Sequence, residues 1–147
     1  MKAKVLMILA ICLGAVSCTS GDVYHNETII KGVSIFTDRI EALGDKWQES
    51  GRVGTPGYYL YQEYKFPEIT QDVINKGAVL VYLIDADKRE NILPYVYPLD
   101  NGANLVMQNF RFEVEKGILT LVVESQDFGD YVRLDSKYIF KVCIIKP

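Results

Sequence analysis

Leu105-Val106-Met107-Gln108-Asn109-Phe110-Arg111-Phe112-Glu113-Val114-Glu115-Lys116-Gly117-Ile118-Leu119-Thr120-Leu121-Val122-Val123-Glu124 is the stretch that decides the fold. Its first half alternates, with Val106, Phe110, Phe112 and Val114 on one face and Asn109, Arg111, Glu113 and Glu115 on the other. A period of two is that of a strand with one packed and one wet side. Lys116-Gly117 then reverses the chain into the apolar run Ile118–Glu124, so the segment reads as an antiparallel hairpin with a two-residue turn.

The same grammar runs outward in both directions. Toward the C-terminus, Lys137–Lys146 places Tyr138, Phe140, Val142 and Ile144 on one face and Ile139, Cys143 and Ile145 on the other. Upstream, Asp100-Asn101-Gly102 is a turn, and Ile92–Tyr97, interrupted by Pro94 and closed by Pro98, is at best a short edge strand. Ala78–Ile84 is apolar on both alternating sets, the pattern of a central strand covered on both faces. Before it, Thr70 can cap a helical turn whose first residues include Asp72 and whose exit is Gly77. Tyr58–Phe66 is aromatic and β-prone, ends at Pro67, and follows the turn-rich loop Gly51–Gly57. Val33–Phe36 is a weak first strand, and a second lies around Trp47. Six to eight strands with one helical turn predict an all-β fold, a two-sheet antiparallel β-sandwich of Ig-like or jelly-roll type, with a small β-barrel as the alternative.

The N-terminus carries an address. Lys2 and Lys4 precede the apolar run Val5–Ala15, and Ala15-Val16-Ser17-Cys18 follows. A short basic region, an apolar segment too short to span a bilayer and small residues before a cysteine describe a cleaved signal. The pattern resembles the bacterial lipobox, which implies cleavage before Cys18, a diacylglycerol thioether on its sulfur and a palmitate-type acyl group on the new amino terminus. Thr19 is not the Asp that retains such proteins in the inner membrane, so the resemblance implies a lipid-anchored protein of the outer membrane, facing either periplasm or medium. The organisation read from the chain is a signal peptide over 1–17, a flexible tether over 18–31 and one domain over 32–147.

Removing residues 1–17 takes away Lys2 and Lys4, leaving 14 basic against 19 acidic residues, a formal net charge of minus five. Basic residues are scattered, with Lys88-Arg89 the only adjacent pair, so nucleic acid is not an expected partner. Of three cysteines, Cys12 falls in the signal and Cys18 at the lipid site, which leaves Cys143 without a partner for an internal disulfide. The only histidine, His25, lies in the tether. No cofactor or metal site is expected. Asp85-Ala86-Asp87-Lys88-Arg89-Glu90-Asn91 begins like a calcium loop, but Arg89 stands where an oxygen ligand is required, so it reads as a solvated turn. Asp127-Phe128-Gly129 matches a kinase motif by letters alone, and Asp127, Asp130 and Asp135 read as a charged loop.

Phe66-Pro67-Glu68-Ile69-Thr70-Gln71-Asp72-Val73, Gly77–Leu83, Leu93-Pro94-Tyr95 and Tyr138–Val142 together resemble a recurrent domain of small lipoproteins from gut-type Gram-negative bacteria, over about Tyr58 to Lys146. The resemblance implies a β-sandwich and an envelope address, and transfers no catalytic residue. Members often carry a Trp before the Leu-Pro-Tyr unit; here Lys88-Arg89-Glu90-Asn91 holds none.

Ten tyrosines and one tryptophan supply the feature with functional pull. Trp47, Tyr58, Tyr59, Tyr61 and Tyr64 form the candidate binding surface, because the strand Tyr58–Phe66 carries aromatics on both faces and only one face can join the core. The leading expectation is a non-catalytic, envelope-anchored domain that binds a protein or glycan. The alternatives are a small polysaccharide hydrolase, with Glu113 and Glu124 as the carboxylate pair, and an accessory subunit of an envelope complex.

Overall fold

A computed structural model describes residues 26–30, 32–100, 105–126, 128 and 137–147. Among the described residues, ten strands form two five-stranded antiparallel sheets. The first sheet contains β1 (Asn26–Ile30), β2 (Val33–Ala42), β10 (Tyr138–Lys146), β5 (Ala78–Ile84) and β6 (Glu90–Ile92), in that spatial order. The second contains β3 (Gln48–Ser50), β4 (Tyr59–Lys65), β9 (Ile118–Ser125), β8 (Leu105–Glu115) and β7 (Tyr95–Asp100). The two sheets keep their own edges and do not close into a barrel, so the sandwich is the architecture and the barrel alternative is set aside.

The central hairpin forms as its alternation requires. Glu115 pairs with Ile118 across Lys116-Gly117, and Gly117 takes φ 80°, a left-handed conformation open to glycine without a Cβ penalty. Phe110, Leu119, Leu121 and Val123 point inward and meet Phe140, Val142 and Ile144 of β10 with Val81 of β5. All eight are at most 1 % exposed, which places the middle of the core between β9 and β10.

One end of the sandwich is sealed by backbone. The turn glycine Gly117 donates its N–H to the Ile69 carbonyl at 2.8 Å and accepts from Phe66 N–H at 2.9 Å. Helix α1 (Gln71–Lys76) follows, with Thr70 Oγ1 accepting from Val73 N–H at 3.3 Å, the cap foreseen from its sequence. Ile69 and Val73 are buried beneath it. Gly77 serves another purpose than a left-handed exit: its φ of −99° is open to any residue. A Cβ there would lie 2.2 Å from the Ile145 carbonyl oxygen, so glycine is required by the close approach of two backbones.

Three readings need correction. Asn26–Ile30 lies in the segment read as a tether but pairs with β2 from Asn26 opposite Thr37 to Ile30 opposite Val33. An edge strand needs only a ladder partner, which its polar sequence does not announce. Strand β5 is not sealed on both faces: Val81 and Leu83 are buried, whereas Leu80, Tyr82 and Ile84 are half-buried on the outer side, where the Lys141 ammonium sits 4.5 Å from the Tyr82 ring centroid. Its neighbour β6 is only three residues long and offers little cover. The stretch Ile92–Tyr97 is two edge strands rather than one: β6 ends the first sheet, and after the cis Leu93-Pro94 peptide the chain crosses to become β7, the edge of the second.

Candidate functional site

At the end of the sandwich formed by the end of β5 and the start of β10, a cleft of about 490 Å³ opens between the sheets, a size suited to a small ligand. Its two walls come from different sheets and differ in chemistry. The second sheet supplies Tyr95 and Tyr97, which alternate along β7 and therefore share a face. The first supplies Leu83 and Ile84, the loop residues Asp85, Ala86 and Arg89, and Lys137, Tyr138 and Ile139 at the start of β10.

The aromatic wall is a stack continuous with the core. Tyr97 lies between Tyr95 and Phe110, at centroid distances of 6.2 and 5.7 Å and interplanar angles of 18° and 13°. Phe110 in turn contacts Tyr138 at 5.2 Å and Phe140 at 6.1 Å. With rings on both sides of it, Tyr97 offers its hydroxyl, 3.4 Å from that of Tyr138, while Tyr95, half-buried, is the last ring of the stack among the described residues. Burial first, and then the shared hydrogen bond with Tyr138, hold the Tyr97 phenol well above its ordinary pKa, so it stays a neutral donor.

The opposite rim is held by Asp85. Its carboxylate accepts the Arg89 backbone N–H at 2.8 Å, Arg89 Nε–H at 2.9 Å and an Asn91 amide hydrogen at 3.4 Å. Arg89 Nη2 also meets Asp87 at 2.9 Å. Lys88 adopts φ 65° to close this turn. The backbone bond from Arg89 is the main reason the Asp85 pKa falls below its ordinary 3.8; the side-chain bonds and the Arg89 charge add to it, against a smaller desolvation effect. A folded-state value below the unfolded one makes this clamp complete above the ordinary carboxylate range and loses it as pH falls through the lowered value. The NMR signals of the Arg89 amide and Nε–H are thus expected to titrate with a midpoint below that of an ordinary aspartate.

The five aromatics nominated from sequence do not form one surface. Tyr58 is 3 % exposed, Tyr64 is half-buried against the core, and Trp47 packs there too with its Nε1 buried and unpartnered. Tyr64 donates to Gln62 Oε1, and burial pushes its pKa up to about 12. Tyr59 and Tyr61 stand together on the outer face of the second sheet, edge to face at 6.1 Å, with the Arg111 guanidinium 5.7 Å from the Tyr59 ring and Tyr61 Oη donating to Gln48 at 3.0 Å. The cleft tyrosines Tyr95, Tyr97 and Tyr138 were not nominated; the signal was the alternation of Tyr95 and Tyr97 in a strand read only as an edge.

Glu113 and Glu124, the nominated carboxylate pair, are both engaged by Arg111, which bonds Glu113 through Nη1 and Glu124 through Nε at 2.9 Å. Asn109 also donates to Glu124, at 3.3 Å. A guanidinium bridging both carboxylates makes this an ion-pair network across β8 and β9. Desolvation pulls the Arg111 pKa down, but its hydrogen bonds to the two carboxylates and their charges outweigh it and the net shift is upward. Cys143 is half-buried and accepts a weak bond from Thr37 Oγ1 at 3.9 Å. Among the described residues, no three His, Cys, Asp or Glu side chains gather as a metal site, and no helix is long and apolar enough to cross a membrane. Cys18, His25, Asp127, Asp130 and Asp135 lie outside the described residues.

Comparison of the chain with protein-family models, with curated proteins and with solved structures finds no match in any of the three.

Proposed function

We propose that this chain is a lipid-anchored, non-catalytic binding domain of a Gram-negative outer membrane, and that it holds a glycan in the cleft between Tyr95 and the Asp85–Arg89 loop. The observation that carries the reading is the pairing of an aromatic wall with a planar polar clamp. A sugar ring presents apolar C–H faces and equatorial hydroxyls; the Tyr95 ring suits the first, and the Asp85 carboxylate, the Arg89 guanidinium and the Tyr97 and Tyr138 hydroxyls suit the second. Leu83, buried on the inner face of β5, adds an apolar surface beside those polar groups. The lipobox ending in Cys18, the likeness over about Tyr58 to Lys146 to small envelope lipoproteins and the acidic balance of the chain support the address and disfavour nucleic acid.

The test is titration of the detergent-solubilised full-length protein with a panel of oligosaccharides, followed calorimetrically. Tyr95→Ala, titrated at a temperature where its melting curve shows it folded, should weaken binding at least about tenfold, the loss typical of a buried aromatic anchor. Equal affinity for both proteins, or no binding to any member of the panel, overturns the reading. In cells, Cys18→Ala should shift the protein from the membrane to the soluble fraction; a variant that stays with the membrane would remove the anchor from the proposal.

A further inference from the structure

The outer faces of the two sheets differ in chemistry. We infer that the outer face of the first sheet lies against the bilayer surface; this rests on the lipid anchor at Cys18 proposed above. Ladder register sets Ile35, Ile145 and Ala78 side by side on that face, with Thr37, Cys143 and Leu80 in the next row. None of the six is buried. Ile92, one row further on beside Tyr82, is 51 % exposed. An antiparallel sheet whose outer side meets water carries polar residues there. The second sheet obeys that rule: Glu63, Thr120 and Glu113 share an outer row, and Arg111 bridges Glu113 to Glu124 across it. The first sheet departs from it through Ile35, Leu80, Ile145 and Ile92 together, a contiguous apolar patch of the kind that marks a contact surface.

Reach and charge choose the bilayer as the occupant. Asn26, the first residue of β1, stands eight positions beyond Cys18, and a chain of that length spans at most about 28 Å. Because β1 belongs to the first sheet, the sheet with the apolar outer face is the one tied to the lipid. The charges on this face nearly cancel: Lys137 pairs with Glu41 and Lys141 with Glu90, and Arg39 is the surplus. On the outer face of the second sheet, Glu63, Glu113, Glu115 and Glu124 outnumber Lys65 and Arg111. A surface containing anionic lipid repels the acidic face and admits the near-neutral one. Shallow contact of this kind is weak alone, so the acyl chains hold the protein and the face sets its orientation.

Ile92 and Val96 are matched reporters, 51 % and 49 % exposed, on the outer faces of the first and second sheets. Full-length protein with Cys143→Ser receives a fluorophore at Ile92→Cys or at Val96→Cys. It is reconstituted into vesicles of phosphatidylethanolamine and phosphatidylglycerol carrying a headgroup nitroxide, and its intact mass reads the acyl chains. The Ile92 label should be quenched at least about threefold more than the Val96 label, because an interfacial face sits within about 10 Å of the headgroups and the sandwich holds Val96 beyond it. Leu80→Glu, which puts a charge in the apolar rows, should reduce the Ile92 quenching while the protein stays lipidated. Equal quenching at the two positions, stronger quenching at Val96, none at either, or quenching unchanged by Leu80→Glu would each end the inference and leave the anchor in place. Chains that crosslink through Ile92→Cys without quenching would give the face to a second copy. Protein without acyl mass, recovered outside the vesicles, would end the anchor reading and the inference together.

Discussion

Gly77→Ala is expected to lower the urea midpoint sharply, at a cost of about 3 kcal/mol or more, the upper range for forcing atoms into a packed site. A methyl group at this position would sit 2.2 Å from the Ile145 carbonyl oxygen and 3.0 Å from that of Val73. Neither neighbour is a side chain that can rotate away. Ile145 is fixed opposite both Ala78 and Ile35 in the ladder, and Val73 is buried under α1 with its carbonyl accepting from Gly77 N–H at 2.8 Å. Relief would have to come from parting α1 from β10, which opens the sealed end of the core. Gly117→Ala supplies the comparison: its φ is 80°, but nothing lies within 4 Å of the added carbon. It should cost only the left-handed penalty of about 1–2 kcal/mol. Equilibrium denaturation of both variants separates the causes, and a Gly77→Ala protein no less stable than Gly117→Ala would show that the two backbones are not in such close approach.

Gln108→Met should raise stability, by about 1–3 kcal/mol, which is the desolvation cost of a buried polar group left without a partner. Gln108 is 1 % exposed, points inward between Val106 and Phe110, and neither its Nε2 nor its Oε1 makes a hydrogen bond. Methionine has a similar length and volume and can follow the same path through the core. For a domain of this size the gain corresponds to about 4 °C in Tm per kcal/mol. Differential scanning calorimetry reads it directly. A fall in Tm would mean that an internal water satisfies the amide and is lost with it.

The parts of the fold that sequence reveals are those whose pattern is local. The β8–β9 hairpin declares itself by alternation and a two-residue turn, and α1 by Thr70, Asp72 and Gly77, because the forces that shape them act over a few residues. Strand β2 shows the limit. Its inward set runs through Phe36, Ile40 and Ala42, but Asp38 interrupts the apolar alternation, and its full length to Ala42 comes from pairing with the distant β10, which sets Ala42 opposite Tyr138. The cleft was less legible still. Tyr97 and Tyr138 are 41 residues apart, and only the packing of one sheet on the other brings their hydroxyls within 3.4 Å. Aromatic content marked Tyr58 and Tyr64 as strongly as Tyr95; which ring meets solvent depends on strand position and sheet end, and a single chain's composition encodes neither.

The crossing at Leu93-Pro94 has a consequence for inheritance. Because β5 and β7 belong to opposite sheets but are joined by one short path, most of the cleft, from Leu83 through Arg89 to Tyr97, is written in a single contiguous stretch of gene. Its replacement by recombination would renew both walls together while leaving the β8–β9 hairpin and the sealed end untouched. The molecule thus separates, along its own chain, a cassette that can diversify from a frame that has to be conserved.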